Sequence, residues 1–522
     1  MSLTTENFGK LRSFFFPIHR TEIKKFLPLF FIYALICFSY SLLKIAKDAL
    51  ICTAPHSAGA ATIPFIKIWG VLPMALLVMY IFTKLFNRFS QEKVLYIMMS
   101  IFLLFFALFT FVLFPYQDFI HPTATADYLQ TVLPSGFDGL ISMFRNWTFT
   151  LFYIMSELWG TAIMSVLFWG FANEITTAKD AKRFYGLLGV GANVTTIFSG
   201  QIALLTSGKL MTLSPFFGVD PWEQSLRLTT SLVIVAGLIT LALFRWYFKN
   251  VLKDNPQAGQ KPSKKEKMGI RQSFRLLSQS KYIFCIAILV LGFNVAMNLV
   301  EVIWKGQISI LYPNPSDYSA YMGKVFIAIG IVSTLISLFL CSNLIRNIGW
   351  TNSAFVTPVA ILLTGGCFFA AIFFKDSVFI ISLAAFVNLT PLALALTLGT
   401  LQNVLSRSCK YTLFDATKEI AFIPLSRKDK ITGKAAIDGV GSRIGKSGGA
   451  AIYQSLFFIF GSAAITTSIV GVILFLIVMG WMVAVKSLGK QFHTLTQTKP
   501  QADQPPPATE EKTPATPEPV SI

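Results

Sequence analysis

The chain has 522 residues and a net charge of +19, yet only 13 % of its residues are charged against 54 % apolar, and 50 are phenylalanine. A soluble protein carries about a quarter charged residues, so this composition does not build a surface facing water. The positive excess does not mark a nucleic-acid partner either. Lys and Arg fall between apolar stretches and form no basic face or domain.

Apolar stretches long enough to cross a hydrocarbon core recur from end to end. A short basic segment, 1–25, comes first, with no small-residue cleavage site and no Ser/Arg-rich extension. That points away from an organelle and toward a bacterial inner (cytoplasmic) membrane. Six spans follow, at about Phe26–Ala46, Phe65–Leu85, Val94–Phe114, Phe144–Ala172, Phe184–Leu205 and Leu226–Phe248. A basic segment over 249–281, with Lys261, Lys264, Lys265, Lys267, Arg271 and Arg275, reads as a cytoplasmic linker lying against anionic headgroups. Six more spans are expected at Tyr282–Ile303, Tyr321–Ile345, Asn352–Phe374, Val378–Leu401, Ala435–Phe460 and Ala463–Lys486. The tail, 487–522, contains Pro505-Pro506-Pro507 and is Pro-, Glu- and Thr-rich, so it is expected to be disordered.

Lys and Arg crowd one set of alternate loops, which puts both termini in the cytoplasm and favours an even number of spans. The two sets of six, 26–248 and 282–486, read as one unit written twice. Lys44 matches Glu301 at the end of a first span, Arg88 matches Arg346 after a second, and Gly189-Val190-Gly191 matches Gly439-Val440-Gly441. The fold class is therefore an all-α polytopic membrane protein of about twelve helices in two six-helix repeats. Such repeats hold their substrate site near the midplane, between the halves.

The chemistry is expected at charges inside apolar segments, each costing about 2.5–3.5 kcal/mol at a helix centre unless partnered or hydrated. They are Lys44 with Lys47, Lys67, Glu157, Glu301, and Arg443 with Lys446. Lys44 and Lys47 share a helix face at i, i+3, as do Arg443 and Lys446. Cations outnumber carboxylates, which suits an anion of several charges such as a polyphosphate. Plainer readings stand beside this one. Lys44, Lys47 and Lys67 lie near span ends, where lysines snorkel, and Glu301 stands four residues before Lys305, the spacing of a structural ion pair.

Other motifs carry less. Gly441-Ser442-Arg443-Ile444-Gly445-Lys446-Ser447 has the look of a phosphate loop, but Val440 occupies the position of its first glycine and no strand precedes it. Gly441, Gly445 and Gly449, like Ala192, Thr196 and Gly200, have instead the small-residue rhythm of close helix packing. Trp69, Trp159, Trp169 and Trp304 read as packing or interface residues. Asn146-Trp147-Thr148 matches a glycosylation acceptor but sits at a membrane boundary. The six cysteines and four histidines have no metal-ligand spacing, and no enzyme motif is present. No metal or cofactor is expected.

Several long motifs now carry a resemblance. They are Cys409-Lys410-Tyr411-Thr412-Leu413-Phe414-Asp415-Ala416-Thr417-Lys418-Glu419, Gly433-Lys434-Ala435-Ala436-Ile437-Asp438 and Gly445-Lys446-Ser447-Gly448-Gly449. With them go Glu157-Leu158-Trp159-Gly160, Phe168-Trp169-Gly170-Phe171-Ala172-Asn173 and Asn298-Leu299-Val300-Glu301-Val302. From about Phe8 to Lys490 the chain resembles the ATP/ADP translocase family of nucleotide transporters, found in obligate intracellular bacteria and plastids. The resemblance implies a twelve-helix, major-facilitator-like carrier. It also implies four intramembrane charges important for transport, which match Lys67, Glu157, Glu301 and Lys446 here. Exchangers of the family usually carry Arg-Asp-Thr-Lys-Asp at the end of the first span, where this chain has Lys44-Ile45-Ala46-Lys47-Asp48.

The expected function is nucleotide transport by alternating access, with counter-exchange of ATP and ADP first. Proton-coupled import of nucleoside triphosphates and carriage of another organic phosphate stay open. Lys67 and Lys446, with Lys44, Lys47 and Arg443, are expected to bind phosphates. Glu157 and Glu301 are expected to pair with these cations when the site is empty, and Glu157 is the candidate for protonation in a symporter. The expected partners are the nucleotide and the bilayer, and the carrier is expected to work as a monomer.

Overall fold

The computed structural model describes residues 18–19, 22–176, 178–207, 220–252, 280–425, 427–434, 436–437 and 441–497. The expected linker lies almost wholly outside these residues, as does most of the expected tail. All regular elements among the described residues are helical. Six form the first set: α1 (Ile23–Cys52), α2 (Gly59–Arg88), α3 (Gln91–Leu113), α4 (Trp147–Ile175), α5 (Ala178–Thr206) and α6 (Pro221–Asn250). Six form the second: α7 (Lys281–Leu311), α8 (Pro315–Phe339), α9 (Arg346–Phe373), α10 (Val378–Phe386 with Pro391–Ala421), α11 (Ser442–Phe460) and α12 (Ala463–Gln497). At 1.5 Å per residue a 30-residue helix such as α1 reaches about 45 Å, more than a hydrocarbon core of roughly 30 Å.

Most helices differ from the expected spans by several residues at one end or both, and four differences matter for the site or the topology. α1 does not end at Ala46 but continues to Cys52, carrying Lys47 and Asp48 inside the helix. Charge ended the apolar run in the sequence, but paired charge does not end a helix. α12 runs to Gln497, eleven residues into the expected tail. The eleventh helix begins at Ser442 rather than Ala435. α10 is not one straight span over Val378–Leu401. It breaks into two segments bent by 76° and continues to Ala421. The break has local causes. Asn388 turns left-handed (φ 55°), the Thr390 hydroxyl caps the next segment by accepting from Ala393 N at 3.2 Å, and Pro391 opens it without needing a backbone donor's partner.

Within the first set α1 packs on α4, α5 and α6. Within the second, α7 packs on α10, α11 and α12. The widest contact between the sets is α5 against α8, and glycine makes it possible. A Cβ on Gly200 would stand 2.5 Å from the Gly323 carbonyl oxygen, and one on Gly323 would stand 2.7 Å from that of Gly200. In α11, a Cβ on Gly445 would meet the Cβ of Asn294 at 2.9 Å, and one on Gly449 that of Asn298 at 2.8 Å, so this face lies flush on α7.

The two ends of the bundle differ. At the distal end, where α1 finishes, the sets are closed on each other. Phe65 of α2 packs its ring on Phe458 of α11 with centroids 5.3 Å apart, and Phe137 packs on the same ring at 5.0 Å. Short helices between α3 and α4 cap this end, with Arg145 paired to Asp127 at 2.6 Å.

The α5–α8 crossing generates a test. Gly200→Leu is expected to lower the unfolding temperature of the detergent-solubilised protein, by the equivalent of about 1–3 kcal/mol of overpacking. Gly186→Leu on the same helix has open space around its Cβ and is expected to leave it unchanged. Equal unfolding temperatures for the two variants would refute the tight crossing.

Candidate substrate site

The site starts from α1. Its helical repeat would put Lys44 and Lys47 on one face, but their surroundings differ. The Lys47 ammonium donates to Asp48 Oδ1 at 2.8 Å and pairs with Glu157 Oε1 of α4 at 3.0 Å. It also lies 3.8 Å from the centroid of the Tyr153 ring. The other Asp48 oxygen, Oδ2, pairs with Lys305 of α7 at 2.8 Å. Lys305 bonds in turn to Glu301 Oε1 at 2.8 Å, one helical turn earlier. The same oxygen accepts from Arg407 Nη2 of α10 at 2.9 Å, while Arg407 Nε donates to Asn403 Oδ1 at 2.6 Å.

The result is a ladder of alternating charge, Glu157–Lys47–Asp48–Lys305–Glu301–Arg407, running from the first set of helices to the second. Its middle is dry: the side chains of Lys47, Asp48 and Lys305 are 1–2 % exposed. Its ends are wetter, with Glu157 25 %, Glu301 16 % and Arg407 15 % exposed. Three carboxylates balance three cations, the condition for holding charge where an unpaired ion would cost several kcal/mol. Asp48–Lys305 is the rung that joins the sets.

Three further lysines lie outside this balance. Lys44 makes no ion pair among the described residues, and its ammonium rests near the rings of Tyr40 (5.3 Å) and, from α8, Phe326 (5.8 Å). Lys67 donates to Asn298 Oδ1 of α7 at 2.6 Å, a second link between the sets. Asn298 in turn donates to the Asn294 carbonyl at 2.9 Å, which fixes its amide. Lys446 is exposed and makes no ion pair among the described residues. It stands one turn before Gly449, the glycine seated on Asn298. Arg443 also belongs to α11, but its side chain lies outside the described residues.

The expected pairing of Glu157 and Glu301 with the phosphate-binding cations is thus corrected in part. Glu157 pairs with Lys47, as one of those cations, but Glu301 pairs with Lys305 and Arg407, and Lys67 is held by an amide. Snorkelling does not describe Lys47, which is buried, whereas the i, i+4 pair of Glu301 and Lys305 is present. Sequence reasoning missed Arg407, because it lies beyond Leu401, the expected end of the tenth span. Its signal was Asn403 four residues earlier on the same face.

Backbone irregularity gathers at the same place. Lys67 sits within a π-helical stretch, Ile66–Val71. Others begin two residues after Glu157, at Trp159–Phe168, and three after Arg407, at Lys410–Phe414. Such i→i+5 turns add a residue to the helix, re-aim its side chains and are frequent at functional sites. A neutral ladder with unbalanced cations beside it presents net positive charge at the junction of two helix sets, which favours a multiply charged anion.

A helical bundle of this kind, in two six-helix sets with charges converging between them, has a major-facilitator-like fold. Solved structures share the fold. The chain aligns with a bacterial homologue of the iron transporter ferroportin in its inward-facing state at TM-score 0.52 and 13 % identity, covering 89 % of this chain and 100 % of that one. It aligns with a D-xylose-proton symporter at TM-score 0.50 and 13 % identity, covering 87 % and 97 %. The chain belongs to the TLC ATP/ADP transporter family, whose model matches residues 1–492. It is 48 % identical to ADP,ATP carrier protein 1 of Chlamydia pneumoniae over 508 residues, 96 % of this chain and 98 % of that one. The carrier of the same name in Chlamydia trachomatis is 46 % identical over 506 residues, covering 96 % and 95 %. The chloroplastic ADP,ATP carrier protein 1 of Arabidopsis thaliana is 42 % identical over 480 residues, covering 92 % and 76 %.

The ladder makes an energetic prediction. Asp48→Asn leaves the surplus charge of two buried lysines and is expected to destabilise the solubilised protein by about 3–5 kcal/mol. Adding Lys305→Met leaves two neutral pairs, Lys47–Glu157 and Glu301–Arg407, and is expected to recover much of that loss. A double-mutant cycle on unfolding free energies measures it. Strictly additive losses would mean that Asp48 and Lys305 are not energetically coupled.

Proposed function

We propose that this chain carries nucleotides across a bacterial inner membrane, exchanging ATP for ADP by alternating access. The observation that carries the reading is the set of lysines outside the balanced ladder: Lys44 and Lys67 from the first helix set and Lys446 from the second. They are the phosphate ligands, with Arg443 and Lys47 adding to the positive field. Glu157 and Glu301 hold the ladder that frames the site. Membership of the ATP/ADP transporter family and the names of the chlamydial and plastid relatives support the choice of nucleotide.

With both termini in the cytoplasm, as the loop charges favour, the closed distal end faces outward. One chain supplies every residue of the ladder, which supports a monomeric carrier. Phosphate oxygens draw Lys67 from Asn298 and give Lys44 and Lys446 the counter-charge they lack. A substrate shifts the balance between conformations only through such differential contacts. Two features favour exchange over proton-coupled import. An empty carrier has to close over unpaired lysines, which is costly in low dielectric. Each carboxylate of the ladder already holds a cation, so none stands free to take up a proton.

Two measurements test this. Lys446→Ala is expected to lower uptake of labelled ADP into proteoliposomes at least about tenfold, the scale of one lost charged hydrogen bond, with membrane insertion intact. Wild-type uptake by that variant would remove its phosphate role. Uptake only into vesicles preloaded with unlabelled nucleotide is the expected mark of exchange. Uptake into empty vesicles that disappears with the proton gradient would overturn exchange in favour of symport.

A further inference from the structure

We infer that Arg407 is a further phosphate ligand of this site and trades its bond to Glu301 for one to the nucleotide; this rests on the transport reading above. The inference comes from comparing the three cations of the ladder. Lys47 and Lys305 are each 1 % exposed, and both hold Asp48, which pairs with no other cation among the described residues. Removing either from its place strips a buried carboxylate of half its compensation. Arg407 differs on every count.

Its side chain is 15 % exposed, so water, and therefore a ligand, reaches it. Its carboxylate among the described residues, Glu301, keeps Lys305 at 2.8 Å when Arg407 lets go, and at 16 % exposure it draws the rest of its compensation from water. Its guanidinium is only partly used: Nε is bound to Asn403 and Nη2 to Glu301, while Nη1 has no hydrogen bond among the described residues. Asn403 is itself fully buried and holds the Nε edge still at 2.6 Å, which makes it a positioning residue for the guanidinium. A fork fixed along one edge, with the other open, is the arrangement that takes two phosphate oxygens at once, as a lysine ammonium does not.

The position fits the same role. Lys44 and Lys67 come from the first helix set and Lys446 from the second. Arg407 adds a second cation from the second set, so that a phosphate chain is gripped from both sides and draws them together. The exchange of partners moves no proton and makes no covalent bond. Glu301 passes from two cations to one as the phosphate takes its place on Arg407.

The test is equilibrium binding of AMP, ADP and ATP to the purified full-length protein in detergent, for wild type, Arg407→Gln and Arg407→Lys, with unfolding temperatures measured without nucleotide. Arg407→Gln is expected to weaken ATP by about 10- to 100-fold, the range for one lost charge-assisted contact, and AMP by clearly less. Arg407→Lys, which keeps the charge but not the fork, is expected to recover part of the ATP affinity. The nucleotide-free unfolding temperature of Arg407→Gln is expected to fall less than that of Asp48→Asn, because Glu301 keeps Lys305 and is partly hydrated. Wild-type ATP affinity in Arg407→Gln, or an equal loss for all three nucleotides with an unfolding temperature as low as that of Asp48→Asn, would overturn the assignment and leave Arg407 a structural partner of Glu301. A wild-type protein that binds none of the three would instead overturn the transport reading, and this assignment with it.

Discussion

Asp48 sits between two lysines, Lys47 beside it on α1 and Lys305 on α7, and its carboxylate is 2 % exposed. A buried carboxylate in a bilayer needs such compensation, since an ion without a partner costs several kcal/mol even after relaxation. Because one lysine belongs to each helix set, satisfying Asp48 forces the sets together at this level. Glu157 and Glu301 then follow, since two lysines around one acid leave a positive surplus, and Arg407 restores neutrality. Whatever else moves in this molecule, this ladder has to be kept whole or broken into neutral pieces.

That constraint sorts the helices into those that can slide and those that cannot. The α5–α8 crossing, with Gly200 against Gly323, is backbone on backbone and has no long side chains to disengage. It suits a hinge. The distal closure is made of rings, Phe65 and Phe137 against Phe458, which can part into lipid or water at modest cost. The ladder lies between these. Its rungs are short and strong inside, longer and wetter toward Glu157 and Arg407, so exchange of partners is cheapest at its ends.

Much of this was legible in the sequence because charge in an apolar run is expensive and stands out. Lys67, Glu157 and Glu301 were visible on that ground, and the Glu301–Lys305 pair was readable from its spacing. The bonds that organise the site were not. Nothing local says that Lys305 reaches Asp48, more than 250 residues away, or that Lys67 meets an amide on α7 rather than an acid. Hydropathy also misplaced the ends of helices for a physical reason. A run of apolar residues reports contact with lipid, while Lys47-Asp48 in α1 and Asn403 to Arg407 in α10 face protein, so the helices continue where the apolar signal stops. The break at Asn388 was a turn signal, Asn-Leu-Thr-Pro, hidden within an apolar context.

The same balance explains why the site has spare cations at all. A carrier whose cleft were neutral would bind a polyphosphate weakly, because the nucleotide would lose its hydration and gain no counter-charge. A cleft with too much positive charge would be unstable when empty. This structure separates the two demands by position. Acids and bases cancel in the dry interior of the ladder, where imbalance is most costly, and the surplus of Lys44, Lys67 and Lys446 lies where solvent still reaches it. Water compensates that surplus only while the cleft is open to one side. Closure removes the water, and then an anion has to replace it. On the exchange proposed above, strict coupling of closure to occupancy would need no dedicated latch: it would follow from these lysines having no carboxylate partner among the described residues.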